Sequence, residues 1–192
     1  MICDVWRTNR FPALVFALIT VVVVFLRATV SASTVLFFEV LSPSSLRYSY
    51  EIMVARDIGV NFTALMPRVR LVYAQPEHAC APLTNEHLAK AAVLVERGEC
   101  SFVSKAVQAE AAGALVLLVT HSASADDDAM VEMVADETQR PVHIPVVYLP
   151  ANHGRMFRRH FLYNTEPVHI KIPLNLTNTP LEAVRKPPWD LW

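Results

Sequence analysis

Two short, uninterrupted apolar runs, residues 91–95 and 114–119, limit this chain's possible folds more than any other feature. A strand that faces water on one side alternates polar and apolar residues; a strand buried on both faces does not. Between the runs, residues 101–112 carry Phe102, Ala106 and Ala109 on one helical stripe, and Gly113 supplies a C-terminal stop. Strand, helix, strand at this spacing is a crossover unit, and a crossover joins parallel strands. Residues 145–149 add a third such strand, and residues 151–163 a second helix.

The flanks have a different pattern. Residues 35–40 and 47–54 are rich in β-branched and aromatic side chains and are separated by Ser42-Pro43-Ser44, so they read as strands joined by a turn. Ile58, Val60 and Phe62 alternate with Gly59, Asn61 and Thr63, and residues 168–176 alternate over a longer span. Period two would put Asn61 and Asn175 on solvent faces. The expected fold class is mixed α/β: a β-rich frame, with antiparallel sheet at its ends, around a small parallel strand–helix–strand core and two main helices. Residues 179–192, with Pro180, Pro187 and Pro188, are expected to form an extended surface tail.

The N-terminus has the order of a secretory signal peptide. Arg7 and Arg10 precede an apolar run over residues 11–26, and the small residues of Val30-Ser31-Ala32 follow. The run is short for a helix that must cross roughly 30 Å of hydrocarbon at ~1.5 Å per residue. Cleavage after Ala32 is expected; a retained signal anchor, suggested by Arg27, is the alternative. No later apolar stretch is long enough to span a membrane. The expected organisation is a signal peptide over 1–32, one domain over 33–178 and the tail over 179–192, with export and secretion as the destination.

Export changes how the rest is read. Removing residues 1–32 takes Asp4, Arg7, Arg10 and Arg27 with it and leaves 14 basic against 17 acidic side chains. That balance gives no reason to expect a nucleic-acid partner. Two cysteines remain, Cys80 and Cys100, and an even number in an exported chain favours a disulfide over two free buried thiols. The sequons Asn61-Phe62-Thr63 and Asn175-Leu176-Thr177 suit the same compartment, with Asn175 the more secure glycan acceptor.

Catalytic constellations are missing from the sequence. The four glycines, Gly59, Gly98, Gly113 and Gly154, build no nucleophile elbow, phosphate loop or dinucleotide fingerprint. His153 and His160 share a helix face but lack the i, i+4 spacing of a zinc pair, so surface or half-buried positions are expected. Asp126, Asp127, Asp128, Glu132, Asp136 and Glu137 form an acidic segment without the order of a calcium loop, and a solvated loop is the expectation. Arg155, Arg158 and Arg159 put a basic patch on the second helix, able to pair with that segment. The expectation is therefore no catalytic residue, no cofactor and no metal.

One stretch is more specific. Residues 92–105 run through a hydrophobic strand into Arg97-Gly98-Glu99-Cys100-Ser101-Phe102-Val103-Ser104-Lys105, then an alanine-rich helix and Gly113-Ala114-Leu115-Val116. With Ile144-Pro145-Val146-Val147 later in the chain, this resembles the protease-associated domain family over roughly residues 35–176. The resemblance implies a binding role: members hold peptides or proteins, or govern substrate access to an attached enzyme. The partner class it implies is a protein or peptide, including a separate protease or a receptor. Gly98 would permit the turn, Cys100 would be tied to Cys80, Phe102 would be core, and Lys105 would lie on the helix surface. Arg97 would offer a bidentate guanidinium to a peptide, or else pair with Glu99. Arg97 on one side and Asp126, Asp127 and Asp128 on the other are the peptide-binding candidates.

Overall fold

In a computed structural model of the chain, residues 35–122, 131–176, 179–180 and 183–190 are described. The signal segment and Asp126, Asp127 and Asp128 lie outside the described residues. The unit from Ser33 to Trp192 is compact.

Among the described residues seven strands close into a barrel. They are β1 (Val35–Ser42), β2 (Ser49–Gly59), β3 (Met66–Tyr73), β4 (Ala92–Glu96), β5 (Val116–Thr120), β6 (Pro145–Tyr148) and β7 (Val168–Leu174). Their order around the barrel is β1-β2-β6-β5-β4-β3-β7, with β7 pairing back onto β1. β3, β4, β5 and β6 run parallel to one another, and the remaining pairings are antiparallel. The mixed α/β expectation and the parallel crossover therefore hold. The closure and β3 were not foreseen, because β3 opens on Met66-Pro67-Arg68 and has too few alternating apolar residues to stand out.

Two apolar cores explain the uninterrupted runs. Inside the barrel Phe38, Tyr50, Leu94, Leu118, Val147 and Ile170 are fully buried. On the outer face of the same strands Val93, Val95, Leu117, Val119 and Val146 are covered by helix α1 (Phe102–Ala111), which contributes Val103, Ala106 and Ala109. The apolar residues of β4 and β5 thus fall alternately into two cores, one on each face of the sheet. Helix α2 (Ala151–Tyr163) closes one end of the barrel, where the Phe157 ring packs 4.8 Å from Tyr50 and 5.8 Å from Phe38. Burying a side chain of that size contributes about 1.5–3 kcal/mol.

Local chemistry sets the helix ends. Ser101 caps α1, its hydroxyl accepting from the Ser104 amide at 3.1 Å. Gly113 at φ +83° terminates it as expected. Inside α2, a Cβ built on Gly154 would meet Thr120 Oγ1 at 1.9 Å, so only glycine lets this helix lie against the end of β5.

Other expectations need correction. The alternation at residues 58–63 does not make a strand: β2 stops at Gly59 and Asn61 is exposed in an irregular segment. β7 ends at Leu174, one residue before Asn175, which is also exposed. His153 and His160 are buried, because the face they share is the one α2 turns inward. The tail is not simply extended. Pro188–Asp190 forms a 3-10 turn whose Trp189 packs on the barrel core, and Arg185 accepts a hydrogen bond from the Ser49 amide.

Candidate site at the carboxyl ends of the parallel strands

The four parallel strands end side by side at Tyr73, Glu96, Thr120 and Tyr148. β4 leads directly into the 97–100 turn. Gly98 adopts φ +112° and Glu99 φ +63°, a left-handed pair that reverses the chain toward α1. The Arg97 amide donates to Thr120 O at 2.7 Å, fastening the turn to the end of β5. Cys100 is disulfide-bonded to Cys80, as expected, which ties the turn to the loop after β3.

Lys105 adds a third restraint and departs from its expected surface position. Its side chain is completely buried, and its ammonium donates to the carbonyls of His78 at 2.6 Å and Gly98 at 2.7 Å. Both disulfide sulfurs lie 3.7 Å from Nζ. Burial lowers the Lys105 pKa to about 8, opposed by the charges of Glu99 and Glu96. The position was legible, since residue 105 is three places from Phe102 and four from Ala109 on the buried stripe. Hydropathy alone assigned it to solvent.

Arg97 itself is exposed, and its guanidinium makes no hydrogen bond or ion pair with any described residue. Its expected competitor, Glu99, faces His78 at 3.6 Å instead. The turn therefore holds a guanidinium with no partner among the described residues, on a backbone pinned by a disulfide, a buried ammonium and a strand end.

The acidic segment starts and finishes against this turn. Its N-terminal root is Thr120-His121-Ser122, beside Arg97. At its far end Asp136 accepts from the Ser101 hydroxyl at the start of α1, and also from Thr138 and from Arg140 at 3.0 Å. Those bonds, led by the one from Ser101, hold the Asp136 carboxyl well below the usual carboxylate range. Arg140 also donates to Ser104 Oγ at 2.7 Å, and Glu132 pairs with Arg56 at 3.2 Å. Two of the acidic side chains are thus already neutralised by arginines. Beside this junction, a hollow of about 300 Å³ is lined by Ile58, Val103, Asp136, Arg140, Val142 and His143.

The basic patch on α2 is also partly consumed. Arg158 turns inward and its Nε lies 3.0 Å from the buried carboxylate of Glu96, which in addition accepts from the Tyr73 hydroxyl. Burial and that carboxylate push the Tyr73 hydroxyl pKa up. Glu96 ends a run of buried apolar residues, and a charge at such a position needs a partner of opposite sign; this signal was present in the sequence. Among the described residues no group of three or more histidine, cysteine or acidic side chains is arranged to hold a metal ion, and no helix is long and apolar enough to cross a membrane.

Residues 67–157 match the PA domain. The chain is 39% identical over 161 residues to a PRADC1-like protein of Drosophila melanogaster, covering 81% of this chain and 82% of that one. It is 37% identical over 107 residues to signal peptide peptidase-like 2 of Arabidopsis thaliana, covering 55% of this chain but 19% of that protein. An aminopeptidase from Aneurinibacillus sp. strain AM-1 shares the fold, with a TM-score of 0.52, 14% identity, and coverage of 74% of this chain and 31% of the enzyme. The pinned Arg97-Gly98-Glu99-Cys100 turn, the crossover that follows it, the PA domain match and the similarity to a PRADC1-like protein over four-fifths of both chains make this chain a member of the PA domain family.

Proposed function

We propose that the protein is a secreted, non-catalytic glycoprotein that binds a protein or peptide at the 97–100 turn. The observation that carries this reading is the exposed guanidinium of Arg97, without an ion pair among the described residues, on a rigid support. A side chain on a pinned backbone loses less entropy on binding than one on a mobile loop, and a guanidinium pairs bidentately with carboxylates or peptide carbonyls. Asp126, Asp127 and Asp128 form the other side of the surface in this reading, which the meeting of both ends of the acidic segment with the turn supports. Export with cleavage after Ala32, a domain over residues 33–178 and glycans on Asn175 and Asn61 belong to the same proposal.

A second reading draws on the relatives. The matched region is about a fifth of a signal peptide peptidase-like protein and about a third of an aminopeptidase. This favours an accessory role, in which the chain governs substrate access to a separate protease.

The test is affinity capture of the tagged protein from culture medium, followed by titration of the captured partner. Arg97→Ala is expected to weaken binding roughly ten- to a hundredfold, the equivalent of about 1.5–3 kcal/mol for a charge-assisted bond. Equal affinity in Arg97→Ala and in an Asp126/Asp127/Asp128→Asn variant would place the surface elsewhere. Capture of an active peptidase whose specificity changes on binding would favour the accessory role, and peptide hydrolysis by the purified chain would overturn the non-catalytic reading.

A further inference from the structure

On the opposite side of the barrel wall from its core, β3 and β7 present a row of basic side chains that the 97–100 surface does not use. Arg68 and Arg70 alternate with the buried Val69 and Leu71, so both point outward and both are exposed. On the neighbouring strand, His169 and Lys171 alternate with the buried Val168, Ile170 and Ile172. The register places Arg70 opposite His169, and Arg68 falls in the irregular stretch beside Lys171. Adjacent strands are about 4.8 Å apart and alternate residues about 7 Å apart, so these four side chains share one small face. None of Arg68, Arg70 and Lys171 forms an ion pair with a described residue. Glu39 on β1 is the register partner of Lys171 but forms no ion pair with it.

Like charges placed side by side on a sheet are destabilising, and a chain of net charge −1 has no general excess of cations to scatter. His169 registers the shared field: burial first, then the charges of Arg68 and Arg70, hold its pKa below the ordinary histidine value. Its Nδ1 is engaged with Ser42 Oγ at 3.1 Å.

We propose that the Arg68–Arg70–His169–Lys171 face binds a sulfated polysaccharide. The face is pleated, and three of its four side chains, Arg68, Arg70 and Lys171, are cations on two neighbouring strands. Both strands are hydrogen-bonded on both sides, so an extended peptide has no edge to join. No aromatic side chain stands in the row for nucleic-acid bases to stack on. A stiff chain of closely spaced sulfates needs neither feature, only guanidinium and ammonium groups at matching intervals.

The experiment is heparin affinity measured on the full chain purified from a eukaryotic culture, with selectively desulfated heparin and poly-glutamate as competitors. Wild type is retained on heparin and displaced by heparin but by neither competitor. An R68Q/R70Q/K171Q variant should bind at least tenfold more weakly, and the slope of log affinity against log salt should fall by about one per cation removed, roughly three in all. R70Q alone should lower the slope by about one, which keeps the test decisive if the triple variant folds poorly. An R155Q/R159Q variant on α2 should behave as wild type. Retention unchanged in R68Q/R70Q/K171Q overturns the proposal. So does equal loss in R155Q/R159Q, or displacement by poly-glutamate as effective as by heparin, which would point to an acidic protein.

Discussion

Lys105 Nζ donates to the carbonyl oxygen of Gly98 at 2.7 Å from a position with no solvent exposure. The first helix therefore reaches back and holds the turn from which it emerged. Lys105→Met preserves much of the volume but leaves the His78 carbonyl without its donor, whereas the Gly98 carbonyl keeps the Cys100 amide at 2.8 Å. At about 1–3 kcal/mol for a buried polar group left unpaired, the variant should lose about 1–3 kcal/mol in urea unfolding. A loss below about 0.5 kcal/mol would mean that water replaces the ammonium.

The Cys80–Cys100 bond closes a loop with a sequence separation of 20 residues. In the chain-entropy treatment, cross-linking a loop of that size stabilises by about 3 kcal/mol. A Cys80→Ser/Cys100→Ser variant should show that loss in denaturant unfolding, and peptide mapping without reductant should recover the two cysteine peptides joined.

His153 predicts an acid limit. Burial lowers its pKa to about 4 from 6.5, while Trp189 Nε1 donates to its Nδ1 at 3.3 Å and Asp190 lies 3.5 Å from its Nε2. A depressed histidine pKa means that the unfolded chain takes the proton first. The contribution is therefore complete above pH 6.5 and is lost as pH falls toward 4, by up to about 3 kcal/mol at 1.36 kcal/mol per unit. Asp190, whose own pKa is raised by burial, opposes part of this at the acidic end. The thermal midpoint should fall over that window, and His153→Gln should flatten the fall.

Gly154→Ala should destabilise despite the better helix propensity of alanine, worth about 1 kcal/mol. The new Cβ would lie 1.9 Å from Thr120 Oγ1 and 2.7 Å from Thr120 Cβ, on a β-branched side chain with little room to turn. Overpacking of this kind costs about 1–3 kcal/mol. Adding Thr120→Ala removes the nearest atoms and should recover part of the loss in calorimetry.

Both sequon asparagines are exposed, Asn61 after β2 and Asn175 after β7. Enzymatic deglycosylation of the protein from medium should lower its apparent mass. Asn175→Gln and Asn61→Gln should each remove part of that shift on a gel, and an unchanged mass would refute the glycoprotein reading.

The sequence displayed the parts of the fold set by local pattern. The unbroken runs at β4 and β5, the Gly113 stop of α1 and the span of α2 follow from period and end chemistry. Barrel closure did not, because it depends on β7 finding both β1 and β3, a pairing between distant segments that no local period encodes. The same division runs through the candidate site. The Arg97-Gly98-Glu99-Cys100 turn was legible as a motif, whereas the partners that immobilise it were not. Lys105 was misplaced because hydropathy assigns lysine to water, while here two carbonyls and a stripe position hold it inside.

The Glu96–Arg158 pair restricts how this chain can diverge. Losing Arg158 leaves the Glu96 carboxylate buried without its cation, a costly step, whereas losing Glu96 leaves Arg158 partly in solvent. Replacing both with apolar residues of similar size is close to neutral. Neutral drift therefore crosses this locus acid first, and descendants that keep the acid should keep the base.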